Sequence, residues 1–198
     1  MDNKSIIKQL KLTAALMELH DENVFKIRGY NSAVFNLDKT DIELGSLLFE
    51  DLQSLDGVGK GIATAIDEIN RTGSSAQLLQ YLEDTPEGIV ELLNLKGIGP
   101  KKIKVLWKEL GIESGHELKE AANTGKVAQL KGFGEKTQET IIKALEYKEA
   151  NAHKLHFAEA EILTQEIVEG LKELLPEILI HEIGAVRRNL ETIENIEI

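Results

Sequence analysis

A five-residue pattern, Leu-x-Gly-apolar-Gly, occurs three times along the chain. The copies are Leu55-Asp56-Gly57-Val58-Gly59, Leu95-Lys96-Gly97-Ile98-Gly99 and Leu130-Lys131-Gly132-Phe133-Gly134, their first glycines 40 and then 35 residues apart. Repetition at such a period is the mark of one supersecondary unit used several times. An apolar residue stands three before each leucine (Leu52, Leu92, Val127), and the first copy is followed by an apolar helical face, Ile62, Ala63, Ile66 and Ile69. Each copy therefore reads as two helices joined by a tight turn. The first glycine supplies a left-handed backbone conformation, and the second permits close approach of another backbone.

The surroundings agree with a mainly α chain. Ile7, Leu10, Ala14 and Met17, and again Ile103, Leu106, Trp107 and Leu110, keep amphipathic helical spacing, and helical periodicity dominates to about residue 175. Pro86 and Pro100 suit the first turn of a helix, and Pro176 ends one. Beyond it, Ile178 to Ile183 and then Ile193, Ile196 and Ile198 read as two strands around a turn, so the chain is expected to stop in mid-sheet. The division expected is 1–84, a small helical domain; 85–150, a second helical domain with two of the turns; and 151–198, a small α/β remnant.

The 198 residues include no cysteine, which excludes disulfides, thiolate nucleophiles and cysteine-held metals. No stretch approaches the roughly 20 apolar residues of a membrane span, and the N-terminus lacks a signal-peptide core, so a cytoplasmic protein without a membrane partner is expected. With 23 basic against 34 acidic side chains the net charge is −11, which argues against a generic polyanion binder. Residues 101–150 are the exception, carrying 10 basic and 8 acidic side chains, and Lys96–Lys108 holds five lysines with no acid among them.

The repeated turn resembles the helix-hairpin-helix motif. In that arrangement the second helix starts at the turn, so its unpaired N–H groups and positive dipole end face outward toward a phosphate, and no base edge is read. Lys60 in the first copy, Lys101 and Lys102 in the second and Lys136 in the third add charge at that place. The candidate DNA contacts are thus Gly57, Gly59, Lys60 and Gly61; Gly97, Gly99, Lys101 and Lys102; and Gly132, Gly134 and Lys136. Because Asp56 and Glu135 sit at the outer turns, the expected order of strength is second, first, third. A monovalent cation held by a turn's carbonyls is left open.

Asn23–Ala33, Leu55–Ala63 and Arg71-Thr72-Gly73 together resemble the N-terminal small domain of bacterial family X DNA polymerases. Residues 92–111 and 125–142 resemble that family's fingers, and 157–198 the start of its nucleotidyltransferase palm, with Gly184-Ala185-Val186-Arg187-Arg188 where the family has Gly-Ser-x-Arg-Arg. The resemblance implies further DNA contacts from Lys26, Arg28 and Tyr30, although packing is an equal reading for Tyr30. It also implies a weak nucleotide site at Gly184 and Arg188.

The departures concern chemistry. Asn195 and Glu197 stand where the family has two metal-holding aspartates, Ala185 replaces the phosphate-contacting serine, and Ala65 occupies the position of the Schiff-base lysine. An amide brings no charge to Mg²⁺ and Ala65 no amine, so neither Mg²⁺ nor a catalytic residue is expected. His153 and His156 read as surface or packing residues rather than metal ligands, Trp107 as core, and Arg187 and Arg188 as idle or salt-bridged. The function expected is sequence-independent binding of gapped, nicked or duplex DNA by a degenerate or truncated relative, with a repair role and a protein partner open. The rivals are a fragment of an active polymerase or lyase, and an acidic protein-interaction scaffold.

Overall fold

Polar side chains set where several of the helices begin. The computed structural model describes residues 1–151 and 154–198. Asp2 accepts the Ser5 N–H at 2.9 Å to open α1 (Asn3–Leu19), and Asn23 accepts the Phe25 N–H at 2.8 Å to open α2 (Val24–Leu37). Such caps satisfy donors that a first helical turn leaves free. After α3 (Phe49–Ser54) and α4 (Lys60–Thr72), Ser75 caps α5 (Ala76–Glu83). Pro86 is the N-cap of α6 (Glu87–Leu92), and Pro100 is the first residue of α7 (Pro100–Leu110). Ser114 and Glu117 form a capping box at α8 (Gly115–Asn123), and α9 (Glu135–Asn151) follows the third glycine turn.

The chain divides into two compact units, Met1–Ala144 and Leu145–Ile198. The expected boundary at 84/85 falls inside the first, where α1 packs against α2, α4 and α5 and also against α7. Ile6, Leu10 and Met17 of α1 share a core with Ile27, Ala33 and Leu37 of α2 and with Ile62, Ala63, Ile66 and Ile69 of α4. Each fully buried isoleucine there contributes about 1.5–3 kcal/mol. The apolar residue inside the first two glycine turns is the anchor: Val58 and Ile98 are both buried, which ties each turn to the helices beneath it.

In the second unit α10 (Phe157–Leu174) buries Ala160 against Val186 of α11 (Gly184–Arg187) and Ile193 of β2 (Thr192–Ile193). β2 pairs antiparallel with β1 (Leu155–His156), Leu155 opposite Ile193. The two strands expected after Pro176 do not form a hairpin: Ile183 makes an isolated bridge to Glu197, and Ile178 and Leu179 lie exposed without a neighbouring strand. A β-branched run becomes a strand only where a partner offers its backbone. His156 donates its backbone N–H to Glu159 at the start of α10, and His153 lies outside the described residues. Among the described residues no helix is long and apolar enough to cross a membrane.

Candidate nucleic-acid interface

The three turns share one backbone. Gly57, Gly97 and Gly132 have φ of +77°, +88° and +84°, the left-handed region in which a side chain is strained. In the first turn the Val58 N–H reaches Leu55 O at 3.0 Å, and in the third the Phe133 N–H reaches Leu130 O at the same distance. The second glycine is then extended, with Gly59 at φ −77°, ψ 169° and Gly99 at φ −90°, ψ 168°, and its carbonyl accepts the first bonds of the new helix.

What each helix start offers to an anion differs. In the first turn the N–H groups of Gly59, Lys60 and Gly61 meet no acceptor among the described residues, and added β-carbons at Gly59 and Gly61 would touch nothing within 4 Å. Lys60 is exposed beside them and makes no ion pair among the described residues. Asn36 of α2 fixes the turn from behind, donating from Nδ2 to the Asp56 carbonyl at 3.2 Å and to its carboxylate at 2.9 Å.

The second turn is poorer than its lysines suggest. Pro100 has no N–H, so Gly99 and Lys101 are left to bring donors that meet no acceptor among the described residues. Lys101 Nζ lies 3.8 Å from Glu18, and Lys104 is ion-paired with Asp21, both acids from the end of α1. Lys102 turns toward the third hairpin, donating to Thr137 Oγ1 at 3.2 Å with its Nζ 5.6 Å from the Phe133 ring, and Lys108 caps the Trp107 ring at 3.4 Å. The acid-free run of sequence is therefore not an acid-free surface. In the third turn the N–H groups of Gly134 and Lys136 meet no acceptor among the described residues and Lys136 is exposed, but Glu135 places a carboxylate at the same helix start.

On α2, Lys26 pairs with Glu22 at 3.0 Å and Arg28 is exposed. The Asn23 N–H, Lys26 and Tyr81 hold the Glu22 carboxyl down at about 2, so this partner stays charged at neutral pH. Tyr30 is only 3% exposed and its hydroxyl donates to Gln77 at 2.8 Å; burial, then Glu68, pushes that hydroxyl up to about 12. Packing, not DNA contact, is the place the fold gives it. Sequence reasoning passed over Phe25, which is 79% exposed between the caps and charges of α2, and Phe35, whose ring lies 3.5 Å from Lys39 Nζ. Their apolar character on an otherwise polar helix face was the available signal. Trp107, expected in the core, is half-buried, edge-on to His20 and bonded through Nε1 to Glu113.

In the second unit Gly184 has φ +66°, and the Glu197 carboxylate lies so close that a β-carbon at Gly184 would collide with it. Arg187 and Arg188 are exposed without an ion pair among the described residues, as are the side chains of Asn195 and Glu197. An amide and a carboxylate already turned onto Gly184 do not make a donor set for a pair of divalent ions. Ala65 faces the core of the first unit and is buried.

These turns and helix starts define a protein built on tandem helix-hairpin-helix domains followed by a small α/β unit. Comparison with known families agrees: residues 1–75 match a helix-hairpin-helix domain and residues 89–147 a SAM-like helix-hairpin-helix tandem. The chain is 36% identical over 197 residues to the DNA polymerase/3'-5' exonuclease PolX of Bacillus subtilis (strain 168), an alignment that takes in all of this chain and 34% of that protein. The resemblance to the N-terminal region of family X DNA polymerases thus runs the length of the chain, which spans about a third of its relative.

Proposed function

We propose that this chain binds the DNA backbone without reading its sequence, with gapped or nicked duplex as the favoured form and repair as the setting. The observation that carries the reading is the first turn, where three free N–H groups, an open approach at Gly59 and Gly61, and the unpaired Lys60 converge at one helix start. Gly99 and Lys101 of the second turn and Gly134 and Lys136 of the third supply weaker contacts. Phe25, beside Lys26 and Arg28, gives α2 an exposed ring on which a base uncovered at a gap can stack. With two or three phosphates neutralised, affinity falls with salt at a log–log slope of about −2 to −3.

Asn195 and Glu197 do not form a metal-holding pair, and Ala65 is both without an amine and buried. Fluorescence anisotropy with 5′-phosphorylated gapped duplex tests the binding. Lys60→Glu is expected to weaken it about tenfold, the worth of one charge-assisted contact, while Lys102→Glu, already turned away, has a smaller effect. Equal losses from the two variants would refute the ranking, and no binding at low salt would refute the reading. A protein partner is the second reading, favoured by Ile162, Leu163, Ile167 and Leu174, which stand exposed on α10 among glutamates.

A further inference from the structure

We propose that Glu18 and Asp21 act as internal substitutes for DNA phosphate, occupying the α7 lysines so that the second hairpin grips a backbone only when DNA displaces them. The inference rests on the reading that these hairpins bind DNA. It starts from two local rules broken at one place. The end of α1 carries Glu18 in its last turn and Asp21 just beyond, with no basic residue there, although the negative end of the helix dipole disfavours carboxylates. Asp21 also adopts φ +57°, the left-handed conformation that helices usually assign to glycine at this position. The left-handed turn itself closes α1, the Glu22 N–H reaching Met17 O at 3.0 Å, but an aspartate there and a glutamate in the last turn are not what that helix end needs.

Both acids instead meet α7. Lys101 reaches Glu18 at 3.8 Å and Lys104 pairs with Asp21, while His20 between them fixes the corner. The His20 ring sits edge-on to Trp107 of α7 with centroids 5.7 Å apart, and its Nε2 lies 2.8 Å from Thr85 Oγ1. A lysine held by a carboxylate cannot neutralise a phosphate until it is released. Lys101 is 84% exposed on its side chain, so its pair is open to an incoming anion. Solvent-exposed pairs of this kind are weak, which makes them displaceable. Pro100 compounds the effect by removing a backbone donor from the same helix start. The second turn is thereby subordinate to the first, and its engagement is linked to breaking the α1–α7 contact.

The test is anisotropy titration of the full chain with 5′-phosphorylated gapped duplex, using wild type, Glu18→Gln plus Asp21→Asn, Lys101→Gln plus Lys104→Gln, and all four changes together. Asparagine tolerates the left-handed conformation, and Asp21→Gly serves as a second variant suited to it. Freeing the lysines is expected to tighten binding about threefold to tenfold at low salt. The gain shrinks as salt screens the pairs. It also disappears when the lysines are neutralised as well, and the lysine changes alone weaken binding about threefold, because they remove the contact that DNA gains on displacing the acids and leave two bare carboxylates beside it. Unchanged or weaker binding by the folded acid variant overturns the inference while leaving DNA binding intact. A gain that survives loss of the lysines overturns it too, because net charge would then be the cause. Absence of binding by every variant removes both this inference and the DNA reading.

Discussion

Replacing the turn glycines one at a time by alanine separates backbone strain, crowding and phosphate approach. At Gly132 the new methyl meets nothing within 4 Å, so only the left-handed φ of +84° matters. That strain is about 1–2 kcal/mol, offset by about 0.4–1 kcal/mol from the stiffer unfolded chain, for a net loss of about 0.5–1 kcal/mol. At Gly57 the methyl comes to 3.0 Å from the Asn36 nitrogen that already donates to Asp56. Giving up that bond adds about 1 kcal/mol. At Gly97 it comes to 2.8 Å from the Thr140 methyl, and Thr140 is held by its hydroxyl bond to Lys136 O at 2.8 Å. Overpacking there raises the loss to about 2–4 kcal/mol. Gly59 has an ordinary φ and open space; the unfolded-state gain and the poorer cap of alanine cancel to about zero. At about 2–4 °C per kcal/mol, circular-dichroism melts should rank Gly59→Ala near wild type, then Gly132→Ala, Gly57→Ala and Gly97→Ala in descending order. Gly59→Ala should nevertheless lose affinity for gapped duplex, because its methyl lies where a phosphate must come. A Gly97 variant as stable as the Gly132 variant, or a Gly59 variant that binds like wild type, would refute this account of the turns.

Tyr30→Phe removes one buried hydrogen bond to Gln77 and is expected to lower stability by about 1 kcal/mol with DNA affinity unchanged. Lost affinity at unchanged stability would return Tyr30 to the interface. Burial, then the nearby Lys108 and Lys104, holds the His20 imidazole below its usual 6.5 against the pull of Asp84. The unfolded chain therefore takes up the proton first, so stability present above 6.5 is lost as the pH falls through the lower, folded-state value. Denaturant titrations of wild type and His20→Asn at neutral and mildly acidic pH check this. A wild type no more pH-sensitive than the variant would contradict it.

The helical hairpins were legible because a positive-φ glycine, an apolar anchor and a second glycine are local requirements, written in five consecutive residues. The same locality explains the misses. Lys101 and Lys104 stand in a run of sequence with no acid, yet their partners Glu18 and Asp21 come from α1, and no pattern along α7 announces them. Tyr30 suits core and interface equally by sequence, and the Gln77 that takes its hydroxyl bond lies 47 residues along the chain. The β-branched run 178–183 had strand composition but meets a partner only at Ile183, among the described residues, while Leu155–His156, immediately before a helix, pairs with Thr192–Ile193 because tertiary packing brings them together. Helix starts belong to the neighbouring residues; strands and ion pairs belong to the fold.

A single ring at position 100 makes the first two hairpins unequal clamps. Where one presents the amide of Lys60, the other presents a nitrogen with no hydrogen to give. The first helix start therefore has three amides to offer an anion and the second two, so on the proposed reading the two would not hold a backbone equally.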